Sequence, residues 1–158
     1  MQERHGIKMT KRKIAGLFAA IVLVFGGCGA EQELAMMQDG TYTAQMAEYS
    51  HGWREYVTIT VKNGVIVTVE YDAESPSGFI KSWDNAYMNN MKAVTGTYPN
   101  EYTRFYAAQL RGQTEAPEID ALAGASSSGA NFVRLSQAVV EKAQQGDSTI
   151  ALVKPAEH

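Results

Sequence analysis

The strongest constraint on the fold is a pair of β-branched runs, residues 55–61 (EYVTITV) and 65–71 (VIVTVEY), separated only by Lys62-Asn63-Gly64. Alternating apolar residues joined by so short a connection predict an antiparallel hairpin. The length of the loop decides which faces meet. A two-residue Asn63-Gly64 turn would pair Val61 with Ile66 and leave Val57, Ile59 and Val61 facing away from Val65, Val67 and Val69. A three-residue loop, 62–64, brings both valine sets to one face. Such a loop needs a left-handed residue in last place, where Gly64 stands. The three-residue loop is the expectation.

Before the hairpin, Asp39-Gly40 opens a strand over 41–48 with Tyr42, Ala44 and Met46 on one side. After it, residues 72–81 (DAESPSGFIK) form a turn-rich crossover. Ser82 can then cap a helix in which Trp83, Tyr87 and Met91 recur at four-residue spacing up to Gly96. Pro99 suits the start of a second helix, with Tyr102, Phe105, Tyr106 and Leu110 on one stripe and Gly112 just past its end. A loop runs on to Asp120. A third helix, 128–145, turns Phe132, Leu135, Val139 and Ala143 inward and stops at Gly146, and 148–153 (STIALV) reads as a last strand. Strands, then helices, then one strand is an α+β order. The expected domain, 39–154, is a small antiparallel sheet with the 55–71 hairpin, packed by about three helices.

The start of the chain reads as an export signal. A basic stretch ending at Lys13 leads into an apolar run, 14–25 (IAGLFAAIVLVF), then Gly26-Gly27 and Cys28. That run is short of the roughly 20 residues that span a bilayer as a helix. Cys28 is the only cysteine, and its place directly after the small pair resembles a bacterial lipoprotein signal, with Phe25 where Leu is usual. This implies a signal peptide over 1–27, a lipidated Cys28 at the mature N-terminus, and a polar tether to residue 38. The protein would then be held by lipid at the extracytoplasmic face of the cell membrane. An ordinary secretory signal before a chance cysteine is the alternative, and Met9 competes with Met1 as the start.

One cysteine excludes an internal disulfide, a Cys-ligated zinc, an iron–sulfur cluster and a CxxCH haem attachment. Redox chemistry would need an organic cofactor. Five of the 14 Lys+Arg and one of the 17 Asp+Glu fall in residues 1–27, so the remainder carries a net −7. An acidic body argues against nucleic acid as a partner. His5, His51 and His158 are scattered without ligand spacing, so no metal site is expected. Ser126 with His51, completed by Glu115, would be a hydrolase arrangement. No GxSxG elbow supports it, and Glu115 with Glu118 reads as a solvated acidic turn. No catalytic residues are assigned.

The segment that carries chemistry is Asp120-Ala121-Leu122-Ala123-Gly124-Ala125-Ser126-Ser127-Ser128. Gly124 and Ala125 let the backbone approach a ligand closely, and three hydroxyls follow at the mouth of a helix. Free N–H groups and the positive end of the helix dipole favour an anion there, phosphate above all. A plain loop with an N-cap is the alternative from spacing alone. Asp-x-x-Ala-Gly-Ala-Ser resembles the flavinylation motif of the FMN-binding domain family, Asp-x-x-[Ser/Thr/Ala]-Gly-Ala-[Thr/Ser] before a helix. Asp39-Gly40-Thr41-Tyr42, the 57–69 hairpin, and Ser82-Trp83-Asp84-Asn85-Ala86-Tyr87 are similar to further segments of that family, so the likeness covers about 39–145.

The resemblance implies an electron carrier rather than an enzyme. A magnesium-dependent flavin transferase takes FAD and joins FMN through its phosphate to the hydroxyl closing Gly-Ala-[Thr/Ser], here Ser126. Magnesium belongs to the transferase. Ser127 and Ser128 offer neighbouring hydroxyls, and Asp120 could orient the turn or assist the transferase. The expected partners are that transferase, the membrane through the lipid anchor, and a membrane or extracellular redox partner. An isoalloxazine needs a flat apolar wall, for which Trp83, Tyr87, Tyr98 and Tyr102 are candidates. The rival expectation is a surface lipoprotein that binds a solute or partner without flavin.

Overall fold

The computed structural model describes residues 35–155. The expected signal over 1–27, Cys28 and the first part of the expected tether lie outside them. The elements are β1 (Gly40–Met46), β2 (Arg54–Lys62), β3 (Val65–Glu74), a 3-10 turn (Lys81–Trp83), α1 (Asn85–Thr95), α2 (Pro99–Leu110), α3 (Ser126–Gln145) and β4 (Ala151–Val153). The fold is α+β, as expected. Strand order is β3-β2-β1-β4. The first three strands are antiparallel neighbours, while β4 returns parallel to β1, Ala44 facing Ala151, so the sheet is mixed at one edge.

The hairpin corrects the expected loop. Lys62 pairs with Val65 and Val61 with Ile66, so the connection is two residues long. Asn63 (φ 52°) and Gly64 (φ 72°) both take the left-handed conformation that a type I′ turn requires. The extra residue sits inside β3 instead. Thr60 faces Thr68 while Val61 faces Ile66, which leaves Val67 unpaired as a bulge. The bulge performs the change of face that the longer loop was expected to make. Val61 and Ile66 are buried on one side of it, and on the other Ile59 meets Val69 and Val57 meets Tyr71.

Two helices cover one face of the sheet. α3 packs on β1 and β2, and α2 packs on β3. Their inward stripes, Tyr102, Tyr106 and Leu110 from α2 and Phe132, Leu135, Val139 and Ala143 from α3, close over Tyr42, Ala44, Val57, Ile59 and Tyr71. Each large side chain buried this way contributes roughly 1.5–3 kcal/mol by transfer from water. The opposite face pairs threonines across strands, Thr43 with Thr58 at 2.9 Å and Thr41 with Thr60 at 3.5 Å.

α1 departs from the expected first helix. Its cap is Asp84, whose Oδ1 accepts from the Tyr87 N–H at 2.9 Å. Ser82 is buried in the 3-10 turn, and its N–H donates to Asp72 Oδ1 at the end of β3. That bond pins the turn to the sheet, so Ser82 cannot serve the helix. Trp83 consequently points outward, 78% exposed, and α1 buries no residue fully. α2 matches its expected span, and α3 starts two residues early, at Ser126. The last residues of the expected tether are already part of the fold. Met37 is buried, and the Gln38 N–H donates to the Ala143 carbonyl in the last turn of α3 at 2.8 Å.

Candidate functional site

The motif forms a tight turn ahead of α3. The Ala125 N–H donates to the Leu122 carbonyl at 3.1 Å, and Gly124 takes φ 79°, as a type II turn demands at its third position. Close approach also requires glycine here. A Cβ on residue 124 would lie 2.4 Å from the Thr95 carbonyl oxygen and 3.1 Å from Thr97 Cγ2. The turn therefore rests on the exit from α1.

Tyr106 holds the turn from the core side. Its hydroxyl accepts from the Leu122 N–H at 3.1 Å and donates to the Ala125 carbonyl at 3.2 Å. It reaches that place because residue 129 has no side chain; a Cβ there would lie 2.4 Å from the Tyr106 oxygen. Glycine within a helix costs about 1 kcal/mol against alanine. Gly129 is thus explained by what it admits.

The mouth of α3 is left uncapped. Ala125 is the N-cap residue, and no side chain accepts from the first turn of this 20-residue helix. Ser126 and Ser127 are exposed and Ser128 is half-buried. The three hydroxyls differ. Ser128 Oγ donates to Glu55 Oε1 at 2.7 Å, Asn131 Nδ2 donates to Glu55 Oε2 at 2.7 Å, and the Tyr71 hydroxyl donates to the Ser128 carbonyl at 2.8 Å. Burial pushes the Glu55 carboxyl above its ordinary value, and the bonds from Ser128 and Asn131 and the charge of Lys81 partly offset it. Burial, followed by the charge of Glu55, likewise raises the Tyr71 and Tyr102 hydroxyls. Ser128 is committed to Glu55, whereas Ser126 and Ser127 face solvent beside free N–H groups and a positive helix end.

The remaining candidates are placed as follows. Asp120 is exposed, and its backbone is tied to α2 by the N–H donating to Gln109 Oε1 at 2.7 Å. Glu115 and Glu118 are exposed. His51 lies in an exposed turn beside Ser50. Among the described residues no group of three or more His, Cys, Asp or Glu comes together. Of the aromatic candidates, Tyr102 is in the core, Tyr98 lies 5.0 Å under the Lys92 ammonium, and Trp83 stands at the lip of a groove of about 220 Å³ shared with Asp72, Thr103 and Arg104. Tyr87 meets Trp53 edge to face at 5.8 Å, with the Lys81 ammonium 4.8 Å from its ring centre.

Glu55, Lys81 and Trp53 were not among the residues expected from sequence, and Tyr106 was expected on the inward stripe of α2 without a role at the turn. Glu55 carried a readable signal, an acid on the inward stripe 55/57/59/61 of β2, where only a satisfied carboxyl is tolerated. Lys81 and Trp53 lie in segments without periodicity, so nothing local marked them.

No family model matches the chain. The 15 kDa lipoprotein of Treponema pallidum is 30% identical over 140 residues, spanning 88% of this chain and 95% of that protein. A crystal structure of a Clostridium perfringens protein is similar to it with a TM-score of 0.72 at 29% identity, covering 77% of this chain and 100% of that one. A solution structure of a Clostridium thermocellum protein, 24% identical, covers 77% of this chain and 99% of that one with a TM-score of 0.45. Among the described residues no helix is long and apolar enough to cross a membrane. On the identity shared along almost the whole of the Treponema protein, the chain belongs to the family of the 15 kDa lipoprotein.

Proposed function

We propose that this chain is a lipid-anchored, extracytoplasmic electron-transfer flavoprotein carrying FMN through a phosphoester on Ser126. The observation that carries the proposal is the mouth of α3, a long helix whose first turn no side chain caps although three serines stand at it. A phosphate on Ser126 would provide the acceptor that those N–H groups lack, at the end of the helix that favours negative charge. The residues fit the group. Ser126 is exposed, it closes the Ala-Gly-Ala-Ser motif, and Ser128 is already engaged by Glu55.

Attachment uses this chain as the substrate of a transferase. Ser126 Oγ forms a bond to the FMN-side phosphorus of FAD, the pyrophosphate linkage breaks, AMP departs, and the hydroxyl proton passes to a base of the transferase or to water. Magnesium serves that enzyme. Tyr106 and Gly129 fix the turn that presents the hydroxyl, and Gly124 allows the turn to lie flat against Thr95. When bound, the flavin supplies two-electron redox chemistry, and the chain's task is to hold and orient it. A covalent link suits an exported carrier, because a dissociated cofactor would be diluted outside the cell. The name of the Treponema relative supports anchoring through lipid, for which Cys28 is the residue the signal offers.

The test is the Ser126→Ala variant made alongside a flavin transferase. In-gel flavin fluorescence is expected in the parent and in Ser127→Ala, and lost in Ser126→Ala. Stability of Ser126→Ala should change by no more than about 0.5 kcal/mol, since the residue is exposed and makes no contact the fold relies on. Fluorescence surviving in Ser126→Ala would move the attachment elsewhere. A parent that never becomes fluorescent would favour a lipoprotein that binds a solute or partner without flavin.

A further inference from the structure

Among the described residues, Lys81 is a buried lysine with no direct ionic partner, and its charge acts on Glu55, the acid that binds Ser128 in the first turn of α3. It is 9% exposed, yet among the described residues its ammonium takes part in neither of the two ion pairs and in no hydrogen bond. It lies 4.8 Å from the ring centre of Tyr87 and 6.0 Å from that of Trp53, and those two rings meet edge to face at 5.8 Å. Aromatic faces attract a cation without neutralising its charge. The acid on which its charge acts is Glu55, and both Glu55 oxygens are already taken, by Ser128 and Asn131 in the first turns of α3. Glu55 pairs across the hairpin with Ala73, whose neighbour Asp72 holds the Ser82 N–H. A cation framed by two partly exposed aromatic rings thus lies on the same side of the hairpin as the acid that binds the first turn of α3. The chemistry of such a place selects a flat aromatic ligand that bears, or acquires, negative charge. α1, which contributes Tyr87, buries no residue fully, so the rings are not locked behind packed structure.

We propose that Lys81 meets the ring of the flavin carried on Ser126 and sets its potential, the ammonium standing against the negative charge the ring gains on reduction. This rests on the attachment proposed above. Two electrons from a membrane redox donor, or from dithionite in the test, together with one proton from water, leave the reduced ring one unit more negative than the oxidised ring. Lys81 compensates that unit. It is a residue that positions charge, and it exchanges no proton or electron itself.

The experiment compares parent, Lys81→Gln and Lys81→Arg proteins, each flavinylated by the transferase, by dye-coupled reductive titration at pH 7. Removing the charge should disfavour the reduced form at least tenfold, which lowers the midpoint potential by about 30 mV for a two-electron couple. Lys81→Arg should stay close to the parent. Lys81→Met, whose unbranched stem keeps the packing beside Tyr87, replaces the glutamine variant if that variant does not fold, with the same expectation. Equal potentials in parent and uncharged variant, or an arginine variant shifted as far as the uncharged one, would overturn the assignment while leaving attachment intact. A parent without flavin would overturn both.

Discussion

At the scale of single residues, the attachment turn depends on two glycines that do different things. Gly124 supplies a left-handed backbone and a surface without Cβ against Thr95, and Gly129 makes room for the Tyr106 hydroxyl. Gly124→Ala should therefore destabilise the fold by about 1–3 kcal/mol, because strain at a positive φ adds to a backbone clash that no rotamer relieves. Urea unfolding checks this, and a change below about 0.5 kcal/mol would mean the turn is looser than its contacts imply. Glu55 gives a prediction with a sign. Burial holds its carboxyl above the ordinary 4.5, so between 4.5 and the raised value the folded chain binds more protons than the unfolded one. Stability from this group is full below 4.5 and declines as pH rises through the raised value. Glu55→Gln removes that decline, so its stability relative to the parent should improve from pH 4 to pH 8. Urea midpoints at the two pH values measure it, and a gap independent of pH would contradict it.

At the scale of elements, α1 is set apart from α2 and α3. It has a side-chain cap and a left-handed Gly96 at its end, but no fully buried residue. Packing stabilises helices in proteins more than propensity does, so α1 should open first. Amide exchange should be markedly faster over 85–95 than over the interior of α3, and equal protection would show that something covers α1. The same contrast explains what could be read from sequence. α2 and α3 were legible because their apolar stripes repeat at helical spacing and end at Gly112 and Gly146. α1 misled because Trp83, Tyr87 and Met91 share that spacing while the Asp72–Ser82 bond, formed across the crossover, moves the cap to Asp84. The hairpin was legible, but its loop length was not. A three-residue loop and a two-residue turn with a bulge at Val67 both bring Val69 and Tyr71 to the core face and differ in whether Val65 and Val67 or Ile66 joins them. All three are apolar and β-branched, so the pattern cannot separate the two. Of the site, the turn and its three serines were visible in the motif, and Glu55 was visible in principle as an acid on an apolar stripe. Lys81 and Trp53 reach the site through the tertiary fold alone.

At the scale of the whole molecule, the described domain is a sheet with α2 and α3 on one face, and the motif lies at the start of α3, against the exit of α1 and the Tyr106 hydroxyl of α2. The core accounts for Tyr106, Phe132 and Tyr71, whose ring centres lie 4.8–6.2 Å apart, Tyr106 stacked on Phe132 and Tyr71 edge-on or tilted to both. What the core does not account for is an uncapped helix mouth with two exposed serines. The chain belongs to the family of the 15 kDa lipoprotein, and the proposed carrier function would give that feature its use, with phosphate on Ser126 meeting the uncapped N–H groups. The most direct test is the mass of the tryptic fragment that ends at Arg134 and begins after Arg111, taken from protein processed in cells with an active flavin transferase. The account predicts a gain equal to FMN less one water, localised to Ser126 by fragmentation. A fragment of unmodified mass from such cells would contradict it.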